Sequence, residues 1–144
     1  MVCTGNVCRS PMAEVLLAHR LREHGVAAVV ESAGTAALVG RPAEKRAQDL
    51  MRERGIDLSG HRARQLTREL LSTFELVLVM ETAQQRAVEA LWPSARGRVQ
   101  RIGQMGGFDV PDPFRQDRSA FERALAFIER GLDDFDKAFW RRPT

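Results

Sequence analysis

A nine-residue run near the start of the chain restricts its fold and chemistry more than any other feature. The run reads Cys3-Thr4-Gly5-Asn6-Val7-Cys8-Arg9-Ser10-Pro11. Gly5 and Asn6 tolerate positive φ, and Ser10-Pro11 predicts a helix N-cap followed by the first helical residue. A short loop that leads into a helix directs backbone N–H groups at one point, where they bind an oxyanion. The run therefore predicts an anion cradle with the Cys3 sulfur at its floor and Arg9 at its rim.

The residue types in this run suit cleavage of a phosphate ester by a cysteine nucleophile. A free cysteine has a pKa of about 8.5, and a helix N-terminus together with loop amides stabilises the thiolate. Arg9 can donate two parallel hydrogen bonds to phosphate oxygens, which a lysine does less well. The Ser10 hydroxyl can add a hydrogen bond to the sulfur. A buried structural cysteine followed by a turn is the alternative, but the full combination favours phosphate chemistry.

Length, composition and charge indicate one compact domain, residues 1–144, of a soluble globular protein. The chain has 144 residues, 44% hydrophobic and 28% charged, which suits a single domain. Its longest apolar runs, residues 26–30 and 76–80, are too short for membrane insertion. The motif begins at residue 3, which leaves no room for a signal peptide, and two cysteines five residues apart do not form a secreted disulfide framework. These features predict a cytoplasmic protein.

Charge distribution and residue spacing argue against two further classes of ligand. The net charge of +3 is modest, and the basic residues form no stripe, so we expect no nucleic acid partner. His, Cys, Asp and Glu show no metal-ligand spacing. The sequence predicts neither a metal nor a cofactor.

Strand and helix patterns alternate along the chain, which predicts an α/β fold. We expect a single three-layer domain with a four-stranded parallel sheet flanked by helices. The predicted strands are residues 1–3, 26–31, 74–80 and 98–102, and the predicted helices are residues 11–23, 43–54, 67–71, 82–91 and 119–140. Only Met1 and Val2 precede Cys3, so either the first strand is shortened or the start of the chain is mis-set. We expect a loss of stability, offset by packing or by self-association, and hence a monomer or a weakly self-associating protein.

A second polar segment follows the last predicted strand. Doubly wound sheets bind ligands at the carboxyl ends of their strands, so this loop should approach the Cys3 loop. It contains Asp112, which Pro113 restricts to an extended conformation. A carboxylic acid in that place can protonate a phenolate leaving group, and such proton transfer raises the reaction rate by about 10²–10⁴-fold. Asp109 is the competing carboxylate, ranked lower, and an Asp-Pro pair taken alone is equally a turn signal.

The chain resembles a known enzyme family over nearly its whole length. The run Val2-Cys3-Thr4-Gly5-Asn6-Val7-Cys8-Arg9-Ser10-Pro11-Met12-Ala13-Glu14 is similar to the signature of low-molecular-weight protein tyrosine phosphatases. Further similar segments are Ser32-Ala33-Gly34-Thr35, Asp57-Leu58-Ser59-Gly60-His61, Met80 and Asp112-Pro113-Phe114. The sequence of residues 109–114 resembles the corresponding segment of the bacterial branch of this family that is associated with exopolysaccharide export.

The resemblance implies an activity, a mechanism and a partner. The activity is that of a cytoplasmic phosphotyrosine-protein phosphatase acting on aryl phosphate monoesters through a phosphocysteine on Cys3. Arg9 would bind the phosphate, and Asp112 would serve as general acid and base. The implied partner is a tyrosine-phosphorylated protein, for example a bacterial tyrosine kinase of polysaccharide export.

The resemblance also assigns roles around the loop. The phosphate-binding residues would be Thr4, Gly5, Asn6, Val7, Cys8 and Ser10. Leu38 and Phe114 would line the substrate pocket, although Phe114 could equally be loop filler. Ser32 and His61 would support the loop through Asn6, while His61 taken alone could be a surface or core histidine. Cys8 either forms a reversible disulfide with Cys3 upon oxidation or packs the loop.

Three other functions compete with the phosphatase. An arsenate reductase on this scaffold needs further cysteines far from the loop, and both cysteines of this chain lie within it. A non-catalytic phosphate-binding module would lack Cys3, Arg9 or Asp112, and all three are present. A phosphocysteine carrier of sugar transport needs no acid over the loop. We therefore expect a phosphatase.

Overall fold

Four short parallel strands form the centre of the computed structural model, which describes residues 1–141. They are β1 Val2–Cys3, β2 Ala33–Gly34, β3 Val77–Val79 and β4 Val99–Arg101. The sheet order is β2-β1-β3-β4, and every pairing is parallel. The predicted four-stranded parallel α/β fold with a shortened first strand is confirmed. Residues 142–144 of the predicted domain lie outside the described residues.

Helices cover both faces of this sheet. They are α1 Arg9–Glu23, α2 Lys45–Glu53, α3 Arg68–Leu71, α4 Thr82–Leu91 and α5 Arg118–Phe135. A 3₁₀ helix, Pro93–Arg98, precedes β4, and a π-helix, Asp136–Trp140, continues α5. Two apolar clusters result, one containing apolar side chains of α1, α2 and α5, the other containing Val88 of α4. Within the described residues, no helix is long and apolar enough to cross a membrane.

α5 and α1 each contribute five buried residues to the first apolar cluster. The large buried residues of α5 follow helical spacing: Phe121, Leu125, Ile128, Leu132 and Phe135. Gly131 permits close contact with the sheet, since a Cβ there would lie 2.6 Å from the Ile102 carbonyl oxygen. The predicted α-helix to residue 140 is too long, and Phe139, predicted on its apolar face, is 63% exposed. The wider π turn shifts the residues that follow around the helix axis.

The second predicted strand is wrong. Residues 26–31 are irregular and β2 lies at Ala33–Gly34, while Val29 is 75% exposed instead of buried. β1 offers only two residues for pairing, and Val2 pairs with Ala33, so residues 26–31 lie beyond the amino end of β1. Composition favours a buried strand here, but a strand needs a partner at the right register.

The same geometry shortens β3. The predicted strand at residues 74–80 is reduced to Val77–Val79, because Val2 of β1 pairs with Val79 at its end. Residues on either side of the amino end of β1 line an apolar cavity of about 230 Å³, among them Val26, Val30, Phe74 and Leu76. The Met1 ammonium donates a hydrogen bond to the Glu31 carbonyl oxygen at 2.8 Å. We call this region the amino end of the sheet.

The remaining elements lie close to their predicted positions. α4 has the predicted bounds, and α2, α3 and β4 are one to three residues shorter than predicted. Thr67, predicted inside α3, is its N-cap, and its hydroxyl oxygen accepts a hydrogen bond from the Leu70 N–H at 3.1 Å. Local sequence signals therefore locate these elements to within three residues but do not identify their caps.

Candidate active site

Cys3 ends β1 at the carboxyl edge of the sheet, where parallel α/β sheets place their ligands. We call residues 3–10 the cysteine loop. Cys3 is 3% exposed, and its sulfur accepts a hydrogen bond from the Asn6 N–H at 3.3 Å. The Ser10 hydroxyl lies 2.9 Å from the same sulfur. The Asn6 N–H and the Ser10 hydroxyl thus both contact the Cys3 sulfur inside the loop.

α1 begins earlier than predicted. Its N-cap is Cys8 and its first residue is Arg9, so the prediction that Ser10 caps the helix and Pro11 opens it is wrong. The first helical hydrogen bond runs from the Met12 N–H to the Cys8 carbonyl oxygen at 3.3 Å. Pro11 still lies in the first turn, where its missing N–H costs no helical bond. The Ser10 hydroxyl is thereby available to the cysteine loop.

Asn6 is the centre of a buried hydrogen-bond network. It is fully buried with φ 58°, a conformation that asparagine tolerates better than most residues. Its side-chain Nδ2 donates to the hydroxyls of Ser10 at 2.8 Å and Ser32 at 3.0 Å. Its Oδ1 accepts the Arg64 N–H at 3.0 Å, and its carbonyl oxygen lies 2.7 Å from His61 Nε2. Ser32 and His61 thus both contact Asn6.

The segment after β2 runs alongside the cysteine loop. Thr35, Ala36 and Leu38 donate backbone hydrogen bonds to the carbonyl oxygens of Cys3, Thr4 and Gly5, each at 3.0 Å. The approach is close, because a Cβ on Gly34 would lie 2.4 Å from the Thr4 carbonyl oxygen. These contacts bring Leu38 to the pocket. Gly5 and Asn6 were both expected to suit positive φ, but within the described loop Asn6 alone adopts it.

Arg9, predicted to bind the anion at the rim of the cradle, is a buried side chain. It is 1% exposed. Its NH1 donates to the Val110 carbonyl oxygen at 2.8 Å and to the Glu81 carboxylate. Its NH2 lies 3.7 Å from Asp112 Oδ2. The guanidinium therefore joins the cysteine loop to the loop that carries Asp112.

Sequence reasoning missed Glu81, Val110 and Arg64 as contacts of the site. Glu81 follows Met80 at the carboxyl end of β3, a position that could have identified it. Val110 and Arg64 contribute backbone groups, a carbonyl oxygen and an N–H. Residue type carries no signal for such contacts, because every residue other than proline has both groups.

Asp112 and Asp109 have different surroundings. The Asp112 side chain is 48% exposed, and its Oδ1 accepts the Phe114 N–H at 3.1 Å, while Oδ2 faces Arg9. Asp109 instead pairs with Arg101 at 3.0 Å and accepts the Thr82 N–H at 3.2 Å. Asp112 thus faces the cysteine loop, and Asp109 fastens its own loop to neighbouring elements.

These residues enclose a cavity of about 140 Å³. Its floor is the cysteine loop from Cys3 to Arg9, including Thr4, Gly5, Val7 and Cys8, and its walls are Ala36, Leu38, Asp112 and Phe114. Thr4 is held by Gln84 of α4, whose Nε2 donates to the Thr4 hydroxyl at 3.1 Å. Burial raises the pKa of the Cys8 thiol, so Cys8 remains protonated beside Cys3 near neutral pH. The cavity thus combines a floor formed by the cysteine loop with apolar side chains, Leu38 and Phe114, in its walls.

Among residues 1–141, no three His, Cys, Asp or Glu side chains come together as a group that could hold a metal ion.

The chain is similar to known phosphatases both in sequence and in structure. The family profile described as low molecular weight phosphotyrosine protein phosphatase matches residues 1–142. The probable low molecular weight protein-tyrosine-phosphatase EpsP of Ralstonia solanacearum is 50% identical over 133 residues, which covers 92% of this chain and 89% of that protein.

Solved structures superpose over almost the whole chain. Wzb of Vibrio vulnificus in complex with benzylphosphonate has a TM-score of 0.88 at 38% identity, covering 96% of this chain and 95% of that chain. The YwlE arginine phosphatase of Geobacillus stearothermophilus has a TM-score of 0.85 at 31% identity, covering 95% of this chain and 88% of that one. The scaffold therefore serves enzymes that cleave different phosphate linkages.

Proposed function

Because the chain belongs to the low molecular weight phosphotyrosine protein phosphatase family, we propose that Cys3, Arg9 and Asp112 divide its reaction between them. The chain is a protein-tyrosine-phosphatase that uses a cysteine-based mechanism. Cys3 is the nucleophile, Arg9 binds the phosphate, and Asp112 is the general acid and base. The observation that carries this assignment is the convergence of the three residues on one cavity of about 140 Å³.

In the first step, the Cys3 thiolate attacks the phosphorus of an aryl phosphate. The bond between sulfur and phosphorus forms as the bond between phosphorus and the phenolic oxygen breaks. Asp112 donates its proton to that oxygen, so a neutral phenol leaves. Arg9 and the loop N–H groups stabilise the charge on the three equatorial oxygens. The products of this step are a phosphocysteine and an Asp112 carboxylate.

In the second step, water releases the phosphate. The Asp112 carboxylate accepts a proton from a water molecule, whose oxygen attacks the phosphorus. The bond between sulfur and phosphorus breaks, and Cys3 returns to its thiolate form. One residue serves as acid and then as base, because the first step leaves the carboxylate that the second step needs and the second step restores its proton. No redox partner is needed, in contrast to the arsenate reductase alternative, which no comparison favours.

The surrounding residues fit roles that follow from their contacts. Leu38 and Phe114 form apolar walls for the aryl ring, while Thr4, Gly5, Val7, Cys8 and Ser10 form the cradle. Asn6, held by Ser32 and His61, keeps the cradle in its strained conformation. No metal or cofactor takes part, since Arg9 and the backbone amides supply the positive potential.

We further propose the partner and the setting. The substrate is a tyrosine-phosphorylated protein, and a bacterial tyrosine kinase of polysaccharide export is the specific candidate. The resemblance of residues 109–114 to the exopolysaccharide-associated branch supports this choice. Action on such a kinase domain places the enzyme in the cytoplasm, as a monomer or a weakly self-associating protein.

Four assays test the function. The wild-type protein is given para-nitrophenyl phosphate, a phosphotyrosine peptide, a phosphoarginine peptide of the same sequence, and arsenate with a thiol reductant, all with EDTA present. We expect turnover of the first two substrates, with the phosphotyrosine peptide well ahead of the phosphoarginine peptide. Preference for phosphoarginine, reduction of arsenate, or loss of turnover with EDTA that Mg²⁺ or Zn²⁺ restores would each contradict the proposal.

A further inference from the structure

We propose that Glu81 is a positioning residue that orients the Arg9 guanidinium for two-point binding of phosphate. The inference rests on the role of Arg9 proposed above. It concerns a side chain that contacts Arg9 rather than the substrate.

The first observation is the burial of the Arg9 charge. Its side chain is 2% exposed, and a buried guanidinium requires compensating partners. Within residues 1–141, two carboxylates contact it, those of Glu81 and Asp112. Asp112 is 3.7 Å away and is committed to proton transfer, whereas Glu81 makes a direct hydrogen bond to NH1. Glu81 is therefore the carboxylate that accepts a direct hydrogen bond from Arg9.

The second observation is how the donors of Arg9 are divided. A guanidinium has five N–H donors in a rigid plane. Within the described residues, the hydrogen bonds of Arg9 all use NH1, which donates to Glu81 and to the Val110 carbonyl oxygen. The edge formed by Nε and NH2 remains for a ligand, and this edge binds two oxygens of one phosphate in parallel. Glu81 thus determines which edge of Arg9 faces the pocket.

The third observation is the rigid mounting of Glu81. It follows β3 and has an extended backbone, φ −139° and ψ 157°. Its N–H donates to Gln84 Oε1 at 2.9 Å, and that oxygen also accepts the Met80 N–H at 2.9 Å. Gln84 is 3% exposed and its Nε2 donates to the Thr4 hydroxyl at 3.1 Å. The contacts from Thr4 through Gln84 and Glu81 to Arg9 hold the guanidinium relative to the cysteine loop.

Charge and orientation make opposite predictions for variants of Glu81. If Glu81 acted only through its charge, removing it would leave Arg9 more attractive to a dianion, and phosphate would bind more tightly. If Glu81 orients Arg9, the position of its acceptor oxygen matters. Glu81→Gln keeps an oxygen at that distance without the charge, and Glu81→Asp keeps the charge but withdraws the oxygen by one methylene group.

The experiment measures kcat/KM for para-nitrophenyl phosphate and the inhibition constant of inorganic phosphate. We expect Glu81→Ala to lower kcat/KM by about 10–100-fold, the equivalent of one charge-assisted hydrogen bond, and to weaken inhibition by phosphate. Glu81→Gln should stay within about threefold of wild type and Glu81→Asp should fall below it. Glu89→Ala, on α4, which Glu81 precedes as N-cap, changes a carboxylate that does not contact Arg9; it is the control and should match wild type.

A double-mutant cycle separates positioning from a general structural effect. Lysine cannot bind phosphate in the two-point manner, so in an Arg9→Lys background Glu81→Ala should cost less than about twofold. Three results would each overturn the inference. The losses in kcat/KM of the two single variants could multiply in the double variant, Glu81→Asp could have a higher kcat/KM than Glu81→Gln, or Glu81→Ala could bind phosphate more tightly than wild type. If Glu81→Ala does not fold, the Gln and Asp variants still decide. Wild-type protein without turnover would instead refute the proposed function.

Discussion

The carboxyl and amino ends of the sheet differ, although both border the same two-residue strand, β1. At the carboxyl end, Asn6 and Arg9 are buried and hydrogen-bonded to partners from four other segments of the chain. At the amino end, an apolar cavity of about 230 Å³ adjoins β1, and Val29 is 75% exposed.

This difference shows where the site obtains its rigidity. A strand of two residues offers few ladder hydrogen bonds, so β1 alone cannot hold the cysteine loop. The side-chain network around Asn6 and the contacts of Arg9 supply the missing constraints, and buried networks of this kind are strong only when every member is satisfied. Substitutions at the carboxyl end should therefore strongly lower activity or the free energy of unfolding. Substitutions at the amino end should change both only slightly.

The largest effect is expected from Cys3→Ser at the carboxyl end. Serine preserves the loop but supplies no nucleophile that is ionised near neutral pH, so kcat should fall by roughly 10⁴-fold or more. Turnover of para-nitrophenyl phosphate measures the loss, and calorimetry with inorganic phosphate should show that the anion still binds. Appreciable turnover by this variant would remove Cys3 from its proposed role.

Asp112→Asn is expected to slow hydrolysis of aryl phosphates by roughly 10²–10⁴-fold. The loss should shrink for substrates whose leaving groups need no proton. Asp109→Asn is the matched control and should be much milder, because Asp109 pairs with Arg101 and not with Arg9. Single-turnover rates across leaving groups of different basicity test this, and the reverse ranking of the two variants would show that the acid is misassigned.

Asn6→Ala compares the two ends directly through stability. It leaves the buried Ser32 hydroxyl and Arg64 N–H without a partner, so the free energy of unfolding should fall by about 2–4 kcal/mol. Val29→Ser at the amino end changes an exposed side chain and should stay within about 0.5 kcal/mol. Urea unfolding measures both. Equal losses would mean that the two ends contribute alike, contrary to the comparison.

The amino end should nevertheless make stability depend on pH. Burial lowers the pKa of the Met1 amino group from 8.0 to about 6, so the unfolded chain binds this proton more tightly than the folded one. The free energy of unfolding should rise by about 2 kcal/mol between pH 6 and pH 8, and the gain is lost as pH falls through 6. Urea unfolding across this range measures it. An N-acetylated protein is the control and should lack this component.

The smallest effect concerns oxidation at the carboxyl end. Peroxide should inactivate the enzyme, a dithiol should restore it through a Cys3–Cys8 disulfide, and bound phosphate should slow the loss. The raised pKa of Cys8 limits its thiolate fraction, so Cys8→Ser should reduce recovery only several-fold. Peptide mapping after mild peroxide identifies the bridge. Oxygen addition at Cys3 with Cys8 unmodified would leave Cys8 as a packing residue.

The fold class and the family were predictable because they depend on patterns that are local in the sequence. The residues of the cysteine loop are consecutive in the sequence, and so are those of α4. Residues 82–91 form the predicted helix. The order of strands and helices was sufficient for a parallel sheet, since crossover connections favour one topology.

Other features were decided only when distant segments met. Residues 26–31 have the composition of a buried strand. They remain irregular because β1 begins at Val2, which pairs with Ala33, so β1 has no residues opposite them. The burial of Arg9 was not predicted from the sequence, because it depends on Glu81 and the Val110 carbonyl oxygen, which accept its hydrogen bonds. By itself, the sequence determined the chemistry of the cysteine loop, whose residues are neighbours along the chain. The tertiary structure decided burial and partners, because these depend on contacts between residues more than 70 positions apart.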